Sequence, residues 1–166
     1  PDPRDATKNH QSAYDYPDTV KQYIQEELSH GTLVGPDPKD LPFFLPRSPL
    51  ATVEKPGCPD KRRCVTDCSQ RRDGELHGIN QWIPAQHHRG EEYKIHLPRI
   101  QEIVQCIEFC KKKYPGTRIV MFKYDFSRFY RQLYVDPGQT IYLVIEWDGN
   151  VYIDRVFSFG NRGACM

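Results

Sequence analysis

Seven prolines between residues 35 and 60 (Pro36, Pro38, Pro42, Pro46, Pro49, Pro56 and Pro59) constrain this chain more than any other feature. Proline fixes φ and lacks the amide hydrogen that a helix or a central strand needs. Regular helix is therefore forbidden over a sixth of the molecule, and the segment is expected to be extended loop broken by one short strand, Leu50 to Glu54. Secondary structure must be built on either side of it.

Upstream, residues 1 to 16 carry two early prolines and no periodicity, and read as a loose lead-in. From Pro17 the run PDTVKQYIQEELSHG places Val20, Tyr23, Ile24, Glu27 and Leu28 at helical spacing, with Asp15 or Asp18 as a start signal and Gly31 as a stop. Downstream, a strand is expected at Arg63 to Asp67, then a polar turn through Arg71, Arg72, Asp73 and Gly74. Residues 97 to 114 give the clearest amphipathic helix. Its stripe is Ile100, Ile103, Val104, Ile107 and Cys110, Pro98 suits the first turn, and Lys111 to Lys113 sit where the helix dipole favours cations. Strands are expected at 118 to 125, 130 to 135, 140 to 147 and 150 to 157. Pro137-Gly138 and Asp148-Gly149 mark turns, the second a hairpin signal.

The chain has 166 residues, 38% hydrophobic and 12% aromatic, enough for a real core in one domain, with room for a smaller lobe. Net charge is +1, from 23 Lys and Arg against 22 Asp and Glu, so total charge says nothing about nucleic acid and the distribution must carry that question. No apolar run approaches the roughly 20 residues that span a bilayer, and no secretory leader opens the chain. An intracellular protein, cytoplasmic or nuclear, with no membrane partner is expected. Because the chain begins at Pro1 and stops at Met166 within a few residues of a strand-like run, it reads as a piece of something longer.

The six cysteines include two pairs four residues apart, Cys64 with Cys68 and Cys106 with Cys110. Neither pair has the C-x2-C spacing of a zinc knuckle, although His87, His88 and His96 lie between them. Buried or half-buried thiols are the expectation rather than a metal site or disulfides.

The chemistry concentrates in RIVMFKYDFSRFYRQ, residues 118 to 132. There an apolar strand runs into Asp125, and Tyr130 follows five residues later. A lone carboxylate at such a strand end is where nucleotide polymerases put a ligand for the metal ions that carry a nucleoside triphosphate; it serves equally to cap the turn beginning at Phe126.

Three blocks in order resemble the fingers and palm of a reverse transcriptase, in particular those of eukaryotic retrotransposons of the tyrosine-recombinase type. The first, GTLVGPDPKDLPFFLPRSPLATVEKPGCPDKRRCVTDCSQ, is similar to the family's runs "El..G...GP", "SPL..V.K" and "KRR.I.DLS". The second, KYDFSRFYRQLYVDPG, is similar to D-L-S-R-A-Y-R-Q, and the third, FSFGNRGA, to P-F-G-L-R-S-A. The resemblance covers about residues 17 to 166. It implies an α+β fold of polymerase fingers and partial palm, an antiparallel sheet with packed helices, divided as a lead-in at 1–16, an N-terminal helix and fingers-like region at 17–95 and a partial palm at 96–166.

The resemblance also implies roles. Asp125 and the Phe126 carbonyl would hold Mg2+ in a two-metal site that moves a deoxynucleotide onto a primer 3′-hydroxyl. Tyr130 stands at the sugar gate, where a flat ring leaves no room for a 2′-hydroxyl. Lys55 and Arg63 would grip the triphosphate. Phe159 and Gly160 would approach the incoming nucleotide and template, Gly because it has no Cβ. Lys61, Arg62, Arg71 and Arg72 form a basic cluster for template backbone or solvent. The implied partners are an RNA or DNA template with its primer and a dNTP, in an oligomeric state the sequence leaves open. Asn80 falls where the family has an Asn in "S-V-N", without a defined role.

The pattern is departed from at Phe129, where the family has a small residue, at Ser158 for Pro, and at Asn161-Arg162-Gly163 for Leu-Arg-Ser. No Y-x-D-D motif occurs, so the two-metal site the resemblance implies is incomplete in these 166 residues, which are expected not to polymerise by themselves. An alternative therefore stands beside the polymerase: a catalytically dead or co-opted retroelement remnant that binds nucleic acid or protein.

Overall fold

The structure, a computed structural model, describes residues 8–38, 46–70, 78–83, 87, 88, 91, 92 and 98–162. It divides into two compact units, residues 1–85 with 128–166, and residues 86–127.

The first unit opens with helices α1 (Gln11–Asp15) and α2 (Pro17–Ser29). Proline suits the first position of α2, where its missing amide is one no helix would use. The helix ends as the sequence reading predicts: Gly31 takes φ 67, and the amides of His30, Gly31 and Thr32 fold back onto Glu26, Leu28 and Glu27. Strand β1 (Leu33–Pro38) follows, then β2 (Leu50–Lys55) and β3 (Cys58–Thr66), which form a two-stranded hairpin turned by Pro56 and Gly57. Helix α3 is a single turn, Ile79–Trp82.

Strands β6 (Val144–Trp147) and β7 (Asn150–Asp154) return to this unit after the second one, which holds the short pair β4 (His87–His88) and β5 (Glu91–Glu92) and helix α4 (Ile100–Lys113). The β6–β7 turn is Asp148-Gly149, both at positive φ (52 and 74), the two-residue geometry whose twist matches that of paired strands. The three-stranded sheet runs β1-β7-β6, all antiparallel. Because β1 from the N-terminal half pairs with β7, the expected boundary near residue 95 does not separate the units: residues 128–166 complete the sheet that residue 33 begins.

The core lies where α1, α2 and the hairpin meet the sheet. Ala13, Val20, Leu33, Leu50 and Ile145 are essentially sealed from water, with Ile24, Trp147 and Tyr152 beside them. Residues 8–16, part of the lead-in expected to be loose, are therefore tied to the core. Asn9 joins β6 to β2, Ser12 caps the open edge of β2 through both its hydroxyl and its carbonyl, and Ala13 is buried. Polar composition hides this because the attachment uses side-chain hydrogen bonds in place of an apolar stripe.

Other expectations also shift. Residues 118–125 form no strand: a strand exists only in a ladder, and among the described residues no partner pairs with them. The expected strand 130–135 begins as a 3-10 helix, Phe129–Gln132, and its backbone pairs in a single isolated Tyr134–Val156 bridge among the described residues. Residues 137–142 form a second 3-10 helix, capped by the Asp136 side chain on Gly138, so β6 starts four residues later than expected.

In the second unit α4 spans almost the predicted range, with the Arg99 amide donating to the Glu102 carboxylate at its start and three lysines in its last turn. Its stripe is not covered: Ile100, Ile103 and Val104 are exposed, as are Val120, Met121, Phe122 and Tyr124 beyond it. All five described cysteines are free thiols. Cys68 is buried and Cys64 and Cys110 half-buried, while Cys58 and Cys106 are exposed, contrary to expectation. Burial raises the Cys64 thiol to about 12 and also pushes up Cys68, so both are unreactive packing groups.

Candidate nucleotide and nucleic-acid site

Tyr130, Phe159 and Gly160 come together in the first unit. The Tyr130 ring meets Phe159 edge to face with centroids 5.2 Å apart, and Phe129 also meets it edge to face at 5.5 Å. Edge-to-face pairs are a favoured aromatic geometry, so the ring's position is defined by its neighbours. Gly160 lies at φ 135, and a Cβ there would fall 2.7 Å from the Thr66 carbonyl oxygen. Only glycine fits.

Asn80 acquires a role. Its amide nitrogen donates to the Gly160 carbonyl (2.5 Å) and the Ser69 hydroxyl (2.8 Å), its oxygen accepts from the Arg162 amide (2.7 Å), and its own backbone amide bonds Cys68. One buried side chain thus ties the loop holding Phe159 and Gly160 to α3 and to the turn after β3. The Cys68 thiol and Ser158 hydroxyl add a 3.4 Å contact between the same segments.

The hairpin places the basic residues. Strand alternation puts Arg63 opposite Val53 on the outward face, and both Arg63 and Lys55 are exposed. They share the hairpin whose end, Thr66, packs on Gly160. Lys61 is exposed too. Arg62 points the other way: it bonds the hydroxyl and carbonyl of Thr52 at 3.1 and 3.0 Å, reaches Glu54 at 3.4 Å and stacks 3.9 Å over the Tyr16 ring. It is committed to holding the hairpin on α1 and α2. Arg71 and Arg72 lie outside the described residues.

Asp125 and Phe126 belong to the second unit. Both are exposed, Phe126 against Tyr124 at 5.4 Å. Among the described residues no three His, Cys, Asp or Glu side chains gather as a metal cluster.

Sequence reasoning missed a buried ionic group formed by the arginines that flank Phe129 and Tyr130 in the chain. Glu27, 5% exposed, receives Arg131 through Nε (3.0 Å) and Nη2 (2.6 Å), Arg128 on both oxygens at 2.8 Å, and the Thr32 hydroxyl. Arg131 continues to Asp154 in β7 at 2.7 Å. The signal was present: Glu27 is the one charged member of the apolar stripe of α2.

Burial pushes Glu27 up, but hydrogen bonds from Thr32 and Arg131 and the two guanidinium charges outweigh it, so its carboxyl lies below the ordinary range. At Asp154 burial wins over Arg131, with Glu27 adding repulsion, and the carboxyl rises to about 6. The two act oppositely on stability. Glu27 contributes above its ordinary value and loses that contribution on acidification. Asp154 favours the fold while protonated and costs stability as pH rises from about 4 through 6. Asp154→Asn imitates the protonated form, so it is expected to gain on the wild type, by roughly 2 kcal/mol, between pH 4.5 and 7 in chemical denaturation. A gap independent of pH would contradict this assignment.

A groove of about 460 Å3 lies nearby, lined by Ile79, Trp82, Val135, Tyr142, Leu143 and Phe157 with Gln139 and Asn161. Among the described residues no lining side chain is charged, which does not suit a triphosphate.

No protein-family model matches the chain, and no curated protein matches it. Solved structures do. The chain is similar to a selenomethionine-labelled CSH mutant of prototype foamy virus protease-reverse transcriptase (TM-score 0.59, 16% identity, 96% of this chain and 17% of that one). It is also similar to a foamy viral protease-reverse transcriptase in complex with double-stranded DNA (TM-score 0.53, 17% identity, 98% and 23%) and to the native prototype foamy virus enzyme (TM-score 0.53, 17% identity, 95% and 17%). The fold is reverse-transcriptase-like and α+β, as the motifs imply, and the chain spans less than a quarter of those proteins.

Proposed function

We propose that this chain is the fingers and front half of the palm of an RNA-directed DNA polymerase of retrotransposon type. The observation that carries the reading is the packing of Tyr130 on Phe159 beside a glycine with no room for a Cβ, two motif blocks thirty residues apart meeting where an incoming nucleotide would lie. In this reading Tyr130 excludes the 2′-hydroxyl, Gly160 lets backbone approach the nascent pair, and Lys55 and Arg63 hold the triphosphate from the outward face of the hairpin. Lys61, with Arg71 and Arg72, meets template backbone.

Asp125, a hard oxygen donor open to solvent, suits Mg2+ together with the Phe126 carbonyl. Magnesium, when bound, would polarise the α-phosphate and stabilise the leaving pyrophosphate. The chain's own residues bind, orient and select; a foamy viral relative captured with double-stranded DNA supports a nucleic-acid partner.

Primer extension by the full-length natural chain tests this. Deoxynucleotides are expected to be incorporated in preference to ribonucleotides, and Tyr130→Ala is expected to lower that preference about tenfold or more, since a packed wall discriminates an added hydroxyl only while the wall stands. Binding of primer-template without incorporation of either nucleotide would leave a silent binding module instead.

A further inference from the structure

We infer that Glu27 is a specificity-determining positioning residue, which fixes the Tyr130 ring by holding Arg128 and Arg131 on either side of it. The inference rests on the reading of Tyr130 given above and extends it to a residue a hundred positions upstream.

Both arginines reach the same carboxylate, Arg128 from one end of the turn and Arg131 from within it. Between them lie only Phe129 and Tyr130. Arg128 adopts φ 54, a left-handed conformation that non-glycine residues rarely take and that persists only when surroundings over-determine it. Its two 2.8 Å contacts to Glu27 supply that determination. Arg131 is 6% exposed and also grips Asp154, so the far end of the turn is fixed to β7 as well as to α2. With both ends tied, the 3-10 turn Phe129–Gln132 has one way to present Tyr130, and the ring lands on Phe159. The clamp joins α2, the turn and β7, which a purely local cap would not do. Buried ion groups are weak devices for stability and better ones for fixing a geometry.

Glu27→Gln removes the charge from the centre. Arg128→Gln, at a side chain one-third exposed, cuts one arm with less risk to folding. Val20→Ala, a cavity in the apolar core cluster about two turns from Glu27 on the same helix, is the control for mere destabilisation. In primer extension by the full-length natural chain, both clamp variants are expected to lower the ratio of deoxynucleotide to ribonucleotide kcat/KM about tenfold, while Val20→Ala stays within about twofold of wild type. A ratio unmoved in both clamp variants, or moved equally by Val20→Ala, overturns the clamp. If the wild type incorporates nothing, the polymerase reading falls, and the clamp is decided by the ring-to-ring nuclear Overhauser contact of Tyr130 with Phe159. Loss of that contact in Arg128→Gln with the remaining spectrum intact sustains the clamp, and its retention overturns it.

Discussion

Arg131→Met is expected to destabilise the first unit by about 3–5 kcal/mol in chemical denaturation, the cost of removing one partner from a buried ion group. The residue is 6% exposed and its guanidinium serves two carboxylates, Glu27 through two nitrogens and Asp154 through the third. Methionine fills most of the volume, so the loss measures charge left uncompensated more than cavity. Glu27 keeps Arg128 and Thr32, whereas Asp154, 3% exposed, is left without its cation. Asp154 must then stay protonated to higher pH, and its share of the variant's deficit is expected to shrink as pH falls from above neutrality towards about 6, where the wild-type carboxyl also takes up its proton. Adding Asp154→Asn to Arg131→Met should recover part of the loss at pH 7, because the orphaned charge is gone. A cost near zero would mean that water reaches these groups and that the burial described here does not hold in solution.

How much of this was readable beforehand depends on the kind of interaction. Helices α2 and α4 were legible from apolar period and punctuation: Asp18 in the first turn of α2, Gly31 at its stop and the lysines of the last turn of α4 are local signals with local causes. The Asp148-Gly149 hairpin was legible because two positive φ values demand those residues. The meeting of Tyr130 with Phe159 and Gly160 was implied by motif resemblance, not by any periodicity. The strands expected at 118–125 and 130–135 were not obtained, since apolar alternation states a preference for a ladder and cannot provide the partner. The turn at 128–132 is set by tertiary charge pairs, and a sequence shows arginines without showing what they reach. Glu27 inside an apolar stripe was the visible anomaly, and a buried charge implies a cation elsewhere in the chain. Which cation it was required the fold.

Gly160→Ala is expected to cost about 2–5 kcal/mol, the sum of a forced φ and a collision with backbone. The added methyl would sit 2.7 Å from the Thr66 carbonyl oxygen, at the end of the strand paired with β2, so no flexible side chain can yield to make room. Either the loop carrying Phe159 lifts or β3 bends. Lifting breaks the Asn80 bond to Gly160 and strains the one to Arg162, and it moves Phe159 away from Tyr130. Gly57→Ala is the internal control. It too has positive φ (75), yet nothing lies within 4 Å of its Cβ, so only the conformational term applies, about 1 kcal/mol. The difference between the two substitutions isolates the contact, measured as the gap in denaturation midpoint at constant slope. Equal costs would show that the loop and hairpin are not pressed together as described. Under the proposed function the same substitution must also weaken deoxynucleotide preference, since a lifted Phe159 no longer supports the ring that selects the sugar; Gly57→Ala, out on the hairpin turn, leaves that support in place.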